Sequence, residues 1–279
     1  MPAVTAKQVK LWTSKVSINA MNSSKPPVPC RGYERRASLA DMSLLKDQTV
    51  LVVGRGSGIA RAIVFAARDA GAQVIAAGRN RETLPAAYDG EPDVSVEAVD
   101  LTDEASIAAL GERIGPVDHV VSTASARARG RIAELNRDDV RLSFDTKVIG
   151  PLLLAKHLAP RMNEGGSFVF FSGVAAAKIA VGTMGVAITN AAADTLVRSL
   201  ALELGPIRVN AISPGVIDTG AWDAFGEQGK ADYFADISTR NPAHRIGTTD
   251  DIAQAVLFAM TNTFLTGQTL HIDGGEPLT

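Results

Sequence analysis

The chain has 279 residues, 46% of them hydrophobic, and a mean hydropathy of +0.10, enough for one large α/β core without a second domain. A formal net charge of -2 excludes nucleic-acid or membrane-surface binding driven by bulk charge. The single cysteine, Cys30, excludes an intrachain disulfide and any cysteine-based metal centre, and it fits a reducing, cytoplasmic location.

Charge is unevenly spread. Residues 1–41 carry seven basic side chains against Glu34 and Asp41, leaving 21 basic and 28 acidic groups for the rest. The stretch NSSKPPVPCRGY at 22–33 has three prolines and no periodicity, as a linker or tail does. Residues 1–41 are therefore read as a disordered or extended arm, and 42–279 as one domain whose first foldable segment begins near Leu44. The arm's basic, acid-poor character faintly resembles a transit peptide, but it lacks the apolar region of a secretory signal. A disordered arm, or a start assigned upstream of Met42, is the simpler reading. No run approaches the roughly 18 apolar residues of a membrane span.

From Thr49 onward, strand-like runs alternate with helical patterns. The expected order is strand Thr49–Val53, helix Ile59–Ala70, strand Gln73–Ala77, a short helix after Arg81, strand Val94–Val99, helix Glu104–Ile114 and strand His119–Thr123. A long helix from about Asp138 to Met162 follows, kinked at Gly150-Pro151, where proline removes a backbone donor. Strand Ser167–Ser172, a helix from Met184 to Leu204, strand Arg208–Ser213, an irregular excursion over Asp218–Arg240, helix Asp250–Met260 and strand Thr269–Ile272 complete the chain. This rhythm predicts an α/β fold, a single Rossmann-like, doubly wound, seven-stranded parallel sheet flanked by helices.

The first strand leads into a glycine-rich turn, TVLVVGRGSGIA (Thr49–Ala60). Gly54 and Gly58 leave a surface without side chains, where a pyrophosphate can meet backbone N–H groups at a helix N-terminus. A turn that binds nothing is the competing reading, because the spacing departs from G-x-G-x-x-G. After the second strand stands Gly78-Arg79. An acidic residue at this place accepts from a ribose 2′-OH, whereas an arginine accommodates a 2′-phosphate. With Arg55 inside the turn, two guanidiniums can reach one phosphate, which favours NADP(H) over NAD(H).

These features resemble the short-chain dehydrogenase/reductase family from Leu44 to Gly275. VGRGSGIA is similar to the family's TGxxxGxG, with Val53 for Thr and Ala60 for the third Gly. Val99-Asp100-Leu101-Thr102 resembles the element whose Asp contacts the adenine. Asn210–Thr219 resembles the segment that holds the nicotinamide amide, and Leu265–Gln268 with Asp273-Gly274-Gly275 the C-terminal strand signature. The resemblance places Gly54, Arg55, Ser57, Gly58, Ile59, Arg79, Asp100, Leu101, Ser122, Ala124, Asn190, Pro214, Gly215, Ile217 and Thr219 at the cofactor. It implies a small-molecule substrate, neither nucleic acid nor membrane as partner, and a homodimer or homotetramer packed through the helices near 138–162 and 184–204.

The family's reaction uses a Tyr, a Lys four residues on, a Ser and an Asn. Anchored on RSLALEL (Arg198–Leu204), the Tyr position is Val186 and the Lys position Asn190. The Ser position is Gly173, with Ser172 just before it, and the Asn position is Lys147. Ser122-Thr123-Ala124-Ser125 replaces Asn-Asn-Ala-Gly. Lys147, Ser172 and Asn190 become the catalytic candidates, with Lys147 reaching the nicotinamide ribose and Asn190 holding a ribose hydroxyl. The alternative has Lys147 paired with Asp145 or Asp194 outside the cleft. Arg127, Arg129 and Arg131 follow the fourth strand, either to meet an anionic substrate or as a solvated loop. Trp222, Phe225 and Tyr233 are expected to pack in a lid, and the four histidines have no metal-like spacing. Two functions remain open. One is an NADP(H)-dependent oxidoreductase of a small carbonyl or alcohol with its own proton route, and the other is a non-catalytic NADP(H)-binding sensor or partner subunit.

Overall fold

A computed structural model describes residues 43–80 and 82–279, so the arm at 1–41 lies outside the described residues. Short apolar runs form the strands β1 (Thr49–Val53), β2 (Gln73–Gly78), β3 (Val94–Ala98), β4 (Val117–Ser122), β5 (Met162–Phe171), β6 (Arg208–Pro214) and β7 (Thr269–Ile272). The inner strands are largely buried on both faces, whereas the edge strands β3 and β7 are at most half-buried. All pair in parallel in the order β3-β2-β1-β4-β5-β6-β7. Along β1, Val50 and Val52 enter one apolar core while Leu51 and Val53 enter the other, so helices cover both faces.

The helices are α1 (Gly58–Asp69), α2 (Thr83–Ala86), α3 (Glu104–Ile114), α4 (Arg137–Phe144), α5 (Gly150–Leu158), α6 (Met184–Glu203), α7 (Gly226–Arg240) and α8 (Thr249–Thr261). Strand order reverses between β1 and β4, which opens a crevice at the carboxyl edge of the sheet. Register brings the site together there. Val53 pairs with both Ala77 and Ser122, so Gly54, Gly78 and Thr123 leave the sheet side by side.

Three expectations need correction. The single helix over 138–162 is instead α4, a π-turn over Asp145–Ile149, α5 and a 3-10 turn over Ala159–Arg161. The Gly150 N–H reaches back five residues to the Asp145 carbonyl, and Pro151 has no N–H to offer the Lys147 carbonyl, so the ladder widens just before the proline. Strand β5 starts at Met162, where the helix was expected to end, because Met162 already pairs with Val117. The excursion over 218–240 is helical, with a 3-10 turn at Gly220–Phe225 running into α7. Only Ile237 of α7 is buried, so its sequence carries little periodic signal. Its order comes from tertiary packing of Trp222, Phe225, Tyr233 and Phe234, whose rings lie 5.0–6.4 Å apart.

Candidate functional site: a glycine cradle and a buried lysine

The glycine turn is tight because it must be. A Cβ on Gly54 would stand 2.3 Å from Thr123 Oγ1, and one on Gly78 2.5 Å from the Gly54 carbonyl. Gly54 N–H donates to Ala77 O at 2.8 Å, and Thr123 N–H to Val53 O at 2.9 Å. Gly58 has φ +57°, a left-handed conformation that glycine adopts without strain. Ser57 is the N-cap of α1, yet its side chain makes no capping bond, so the first N–H groups of α1 keep their donors directed outward. Ile59 is half-buried behind them.

Most of the other expected cofactor residues stand at or just past the carboxyl ends of β2, β3, β4 and β6. Arg55 and Arg79 are exposed on the rim of the cradle. The Asp100 carboxylate accepts from Thr102 N–H at 2.9 Å and Thr102 Oγ1 at 2.8 Å. Burial alone would raise its pKa, but those bonds and the charge of Arg79 hold it below the usual range. Leu101 is buried against Gly150, where a Cβ would come within 2.8 Å of Leu101 Cβ. Ser122 is buried with its Oγ unpartnered among the described residues, and Ala124 is half-buried beyond it. Across the crevice, Pro214 ends β6 and Gly215 follows it, Ile217 is buried, and Thr219 packs 3.7 Å from the Cβ position of Gly58. Segments some 160 residues apart in sequence thus close on one cleft.

The catalytic candidates form one connected set. Lys147 lies in the π-turn, 8% exposed, and its Nζ donates to the Ser172 carbonyl at 2.8 Å. Ser172 Oγ donates to the Asn190 carbonyl at 3.2 Å, and Asn190 Nδ2 donates to the Gly173 carbonyl at 3.1 Å. A Cβ on Gly173 would stand 2.9 Å from that amide nitrogen. Asn190 is 2% exposed and its Oδ1 has no partner among the described residues. Val186 stands one turn earlier on α6, half-buried.

Lys147 therefore pairs with neither Asp145 nor Asp194, which corrects the alternative reading. Asp194 instead accepts from Thr269 Oγ1 at 2.9 Å. Burial, and next the Arg127 charge, push the Lys147 pKa down to about 7, with Asp194 opposing them.

The loop after β4 is held against α4, the π-turn and α6. Ala126 N–H donates to Thr146 Oγ1 at 3.1 Å, and Ser143 Oγ donates to Ala126 O at 2.9 Å. Ala128 packs so closely on α6 that a Cβ on Gly185 would lie 2.6 Å from its carbonyl oxygen. Arg129 lies over the Trp222 ring at 5.8 Å, and Trp222 Nε1 donates to Ile217 O at 2.8 Å. The expected aromatic lid is thereby tied to both walls. Arg131 N–H donates to Glu134 Oε2 at 2.9 Å.

Sequence reasoning missed Thr123, which seats Gly54, and Glu276. The Glu276 carboxyl is buried with one oxygen unpartnered among the described residues, and desolvation raises its pKa against the pull of Lys178. Nothing in a tail residue after Gly274-Gly275 signals burial.

The cradle, the crevice and the strand order define a dinucleotide-binding α/β protein. Residues 53–276 match the family described as Enoyl-(Acyl carrier protein) reductase. The chain belongs to the short-chain dehydrogenase/reductase family. It is 32% identical over 240 residues to L-xylulose reductase of Mus musculus, covering 83% of this chain and 97% of that protein. The short-chain dehydrogenase/reductase ATR9 of Stachybotrys chlorohalonatus is 30% identical over 253 residues, covering 84% and 98%. A small-chain dehydrogenase crystallised in complex with NADPH superposes with a TM-score of 0.72 at 31% identity, covering 83% of this chain and 99% of that one. A short-chain type dehydrogenase/reductase from Mycobacterium ulcerans gives 0.75 at 31% identity, covering 84% and 91%.

Proposed function

We propose that this protein binds NADP(H) and acts as an oxidoreductase on a small carbonyl or alcohol. The observation that carries this reading is the glycine cradle with two arginines on its rim. In it, Arg55 and Arg79 hold the 2′-phosphate, the first N–H groups of α1 with Ser57, Gly58 and Ile59 hold the pyrophosphate, and Asp100 with Leu101 flanks the adenine. Ser122, Ala124, Pro214, Gly215, Ile217 and Thr219 line the path to the nicotinamide end. The unpartnered Ser122 Oγ and Asn190 Oδ1 fit a polar ligand there, since buried polar groups ordinarily have partners. Once bound, the nicotinamide supplies or accepts the hydride.

Proton movement falls to this chain's own groups. Neither described tyrosine serves, since Tyr88 packs on Phe65 and Tyr233 sits in the lid; Tyr33 lies outside the described residues. Lys147, held near neutral pKa beside Ser172 and Asn190, is the group able to give and take a proton at physiological pH. Ser172 and Asn190 are positioning residues, because each commits a donor to backbone. That same commitment favours a second reading, a non-catalytic NADP(H)-binding sensor or partner subunit. Among the described residues no helix is long and apolar enough to cross a membrane, and a cytoplasmic homodimer or homotetramer with a small-molecule substrate completes the proposal. Titration with NADPH and NADH, followed by NADPH oxidation across a carbonyl panel, tests it. Tight NADPH binding with turnover supports an oxidoreductase, and tight binding without turnover supports the sensor.

A further inference from the structure

The residues after β4 alternate as Ala126-Arg127-Ala128-Arg129. The alanines face the protein, Ala126 fixed to Thr146 and Ala128 packed against Gly185. Arg127 follows Ala126, which is tied to the residue before Lys147. Arg129 reaches the lid, over Trp222. Five arginines elsewhere, Arg68, Arg113, Arg161, Arg240 and Arg245, meet carboxylates. Among the described residues, Arg55, Arg127, Arg129 and Lys147 have no carboxylate within ion-pair distance. Arg127 and Arg129 are both exposed, two residues apart on one stretch of loop, and burial, then the charges of Arg129 and Arg55, lower the Arg127 pKa. Uncompensated cations converging on one space are stabilised by a ligand of opposite charge.

Resting on the reading of the cleft as an NADP(H) site, we propose that the substrate bears a carboxylate or phosphate group, gripped between Arg127 and Arg129 under the Trp222 lid. Arg55 stands in the glycine turn and goes with the cofactor. Arg129 lies over the Trp222 ring, which is anchored to Ile217, and its partner is the substrate rather than the cofactor pyrophosphate. Planar guanidiniums match either anion through paired N–H donors.

Calorimetry on the NADPH-saturated protein, titrated with inorganic phosphate and with oxalate at constant ionic strength, tests this, with Arg127→Gln and Arg129→Gln as variants. NADPH affinity and melting temperature of each variant serve as controls. The expected result is saturable binding of one or both anions by the loaded protein, weakened about tenfold or more in each variant with NADPH affinity unchanged. An absence of saturable binding overturns the proposal, as does binding that survives both substitutions. Loss of NADPH affinity in Arg127→Gln, with no anion bound by the loaded protein, assigns the arginine to the cofactor and also overturns it. If NADPH itself does not bind, the cofactor reading fails separately. The same titrations on the unliganded protein and its variants then decide the arginine site by the same criteria.

Discussion

Replacing Lys147 with methionine is expected to stabilise the protein at neutral and acidic pH and to lose that effect in alkali. The ammonium is nearly dehydrated in the π-turn, and its only hydrogen-bond partner among the described residues is the Ser172 carbonyl. Its pKa falls from 10.5 to about 7. The folded value lies below the unfolded one, so the unfolded chain holds more protons between the two and wild-type stability rises with pH across that window. Below the folded pKa the penalty is complete; above the unfolded pKa it is gone. At about 1.4 kcal/mol per pH unit the penalty is capped at roughly 5 kcal/mol. Methionine keeps an unbranched chain of similar length and forfeits one hydrogen bond, worth about 1 kcal/mol. The net gain for Lys147→Met is thus several kcal/mol at pH 6, shrinking through pH 8 and vanishing near pH 10.5. Urea denaturation of both proteins at pH 6, 8 and 10 measures it. A stability difference that does not change with pH would refute the argument that Lys147 titrates from a desolvated site.

Other perturbations probe the cleft and its surroundings. Gly54→Ala forces a Cβ to within 2.3 Å of Thr123 Oγ1, and overpacking of this kind costs about 1–3 kcal/mol; chemical denaturation and NADPH titration should show reduced stability with weakened binding. Arg55→Ala combined with Arg79→Ala should erase any preference for NADPH over NADH, and a preference retained in that double variant would remove both residues from the 2′-phosphate. On α4, α5 and the π-turn, Leu142, Ile149 and Leu152 are exposed, as is Ile188 on α6, an apolar face that favours self-association. Ile149→Asp with Leu152→Asp should lower the mass found by light scattering, and a monomeric wild type at micromolar concentration would contradict the interface. A chain started at Met42 should melt and bind NADPH as the full chain does, since 1–41 have too little apolar periodicity to join the core.

Local chemistry was enough to place most of the frame. The β-branched run Thr49–Val53, the bounds of helix Glu104–Ile114 and of strand Thr269–Ile272, and the alternation of strand and helix are written in residue spacing, and the structure repeats those three spans unchanged. The glycine turn was legible for the same reason, because the need for absent side chains is recorded at the position itself. The π-turn was not, since Pro151 announces a broken ladder but not how Asp145–Ile149 absorb it. Nor was the α7 lid, which buries little along its own length and is ordered by rings from a preceding turn. The candidate site divides the same way. Lys147, Ser172 and Asn190 could be named from their neighbours in sequence, but what each does depends on groups far along the chain. Lys147 owes its lowered pKa to burial and to Arg127, and its bond to a carbonyl 25 residues on. Lys178 meets the Glu276 carbonyl 98 residues away. Desolvation and through-space charge are properties of the packed chain: sequence decided which titratable groups are present, and only the tertiary structure decided which of them share a water-poor space.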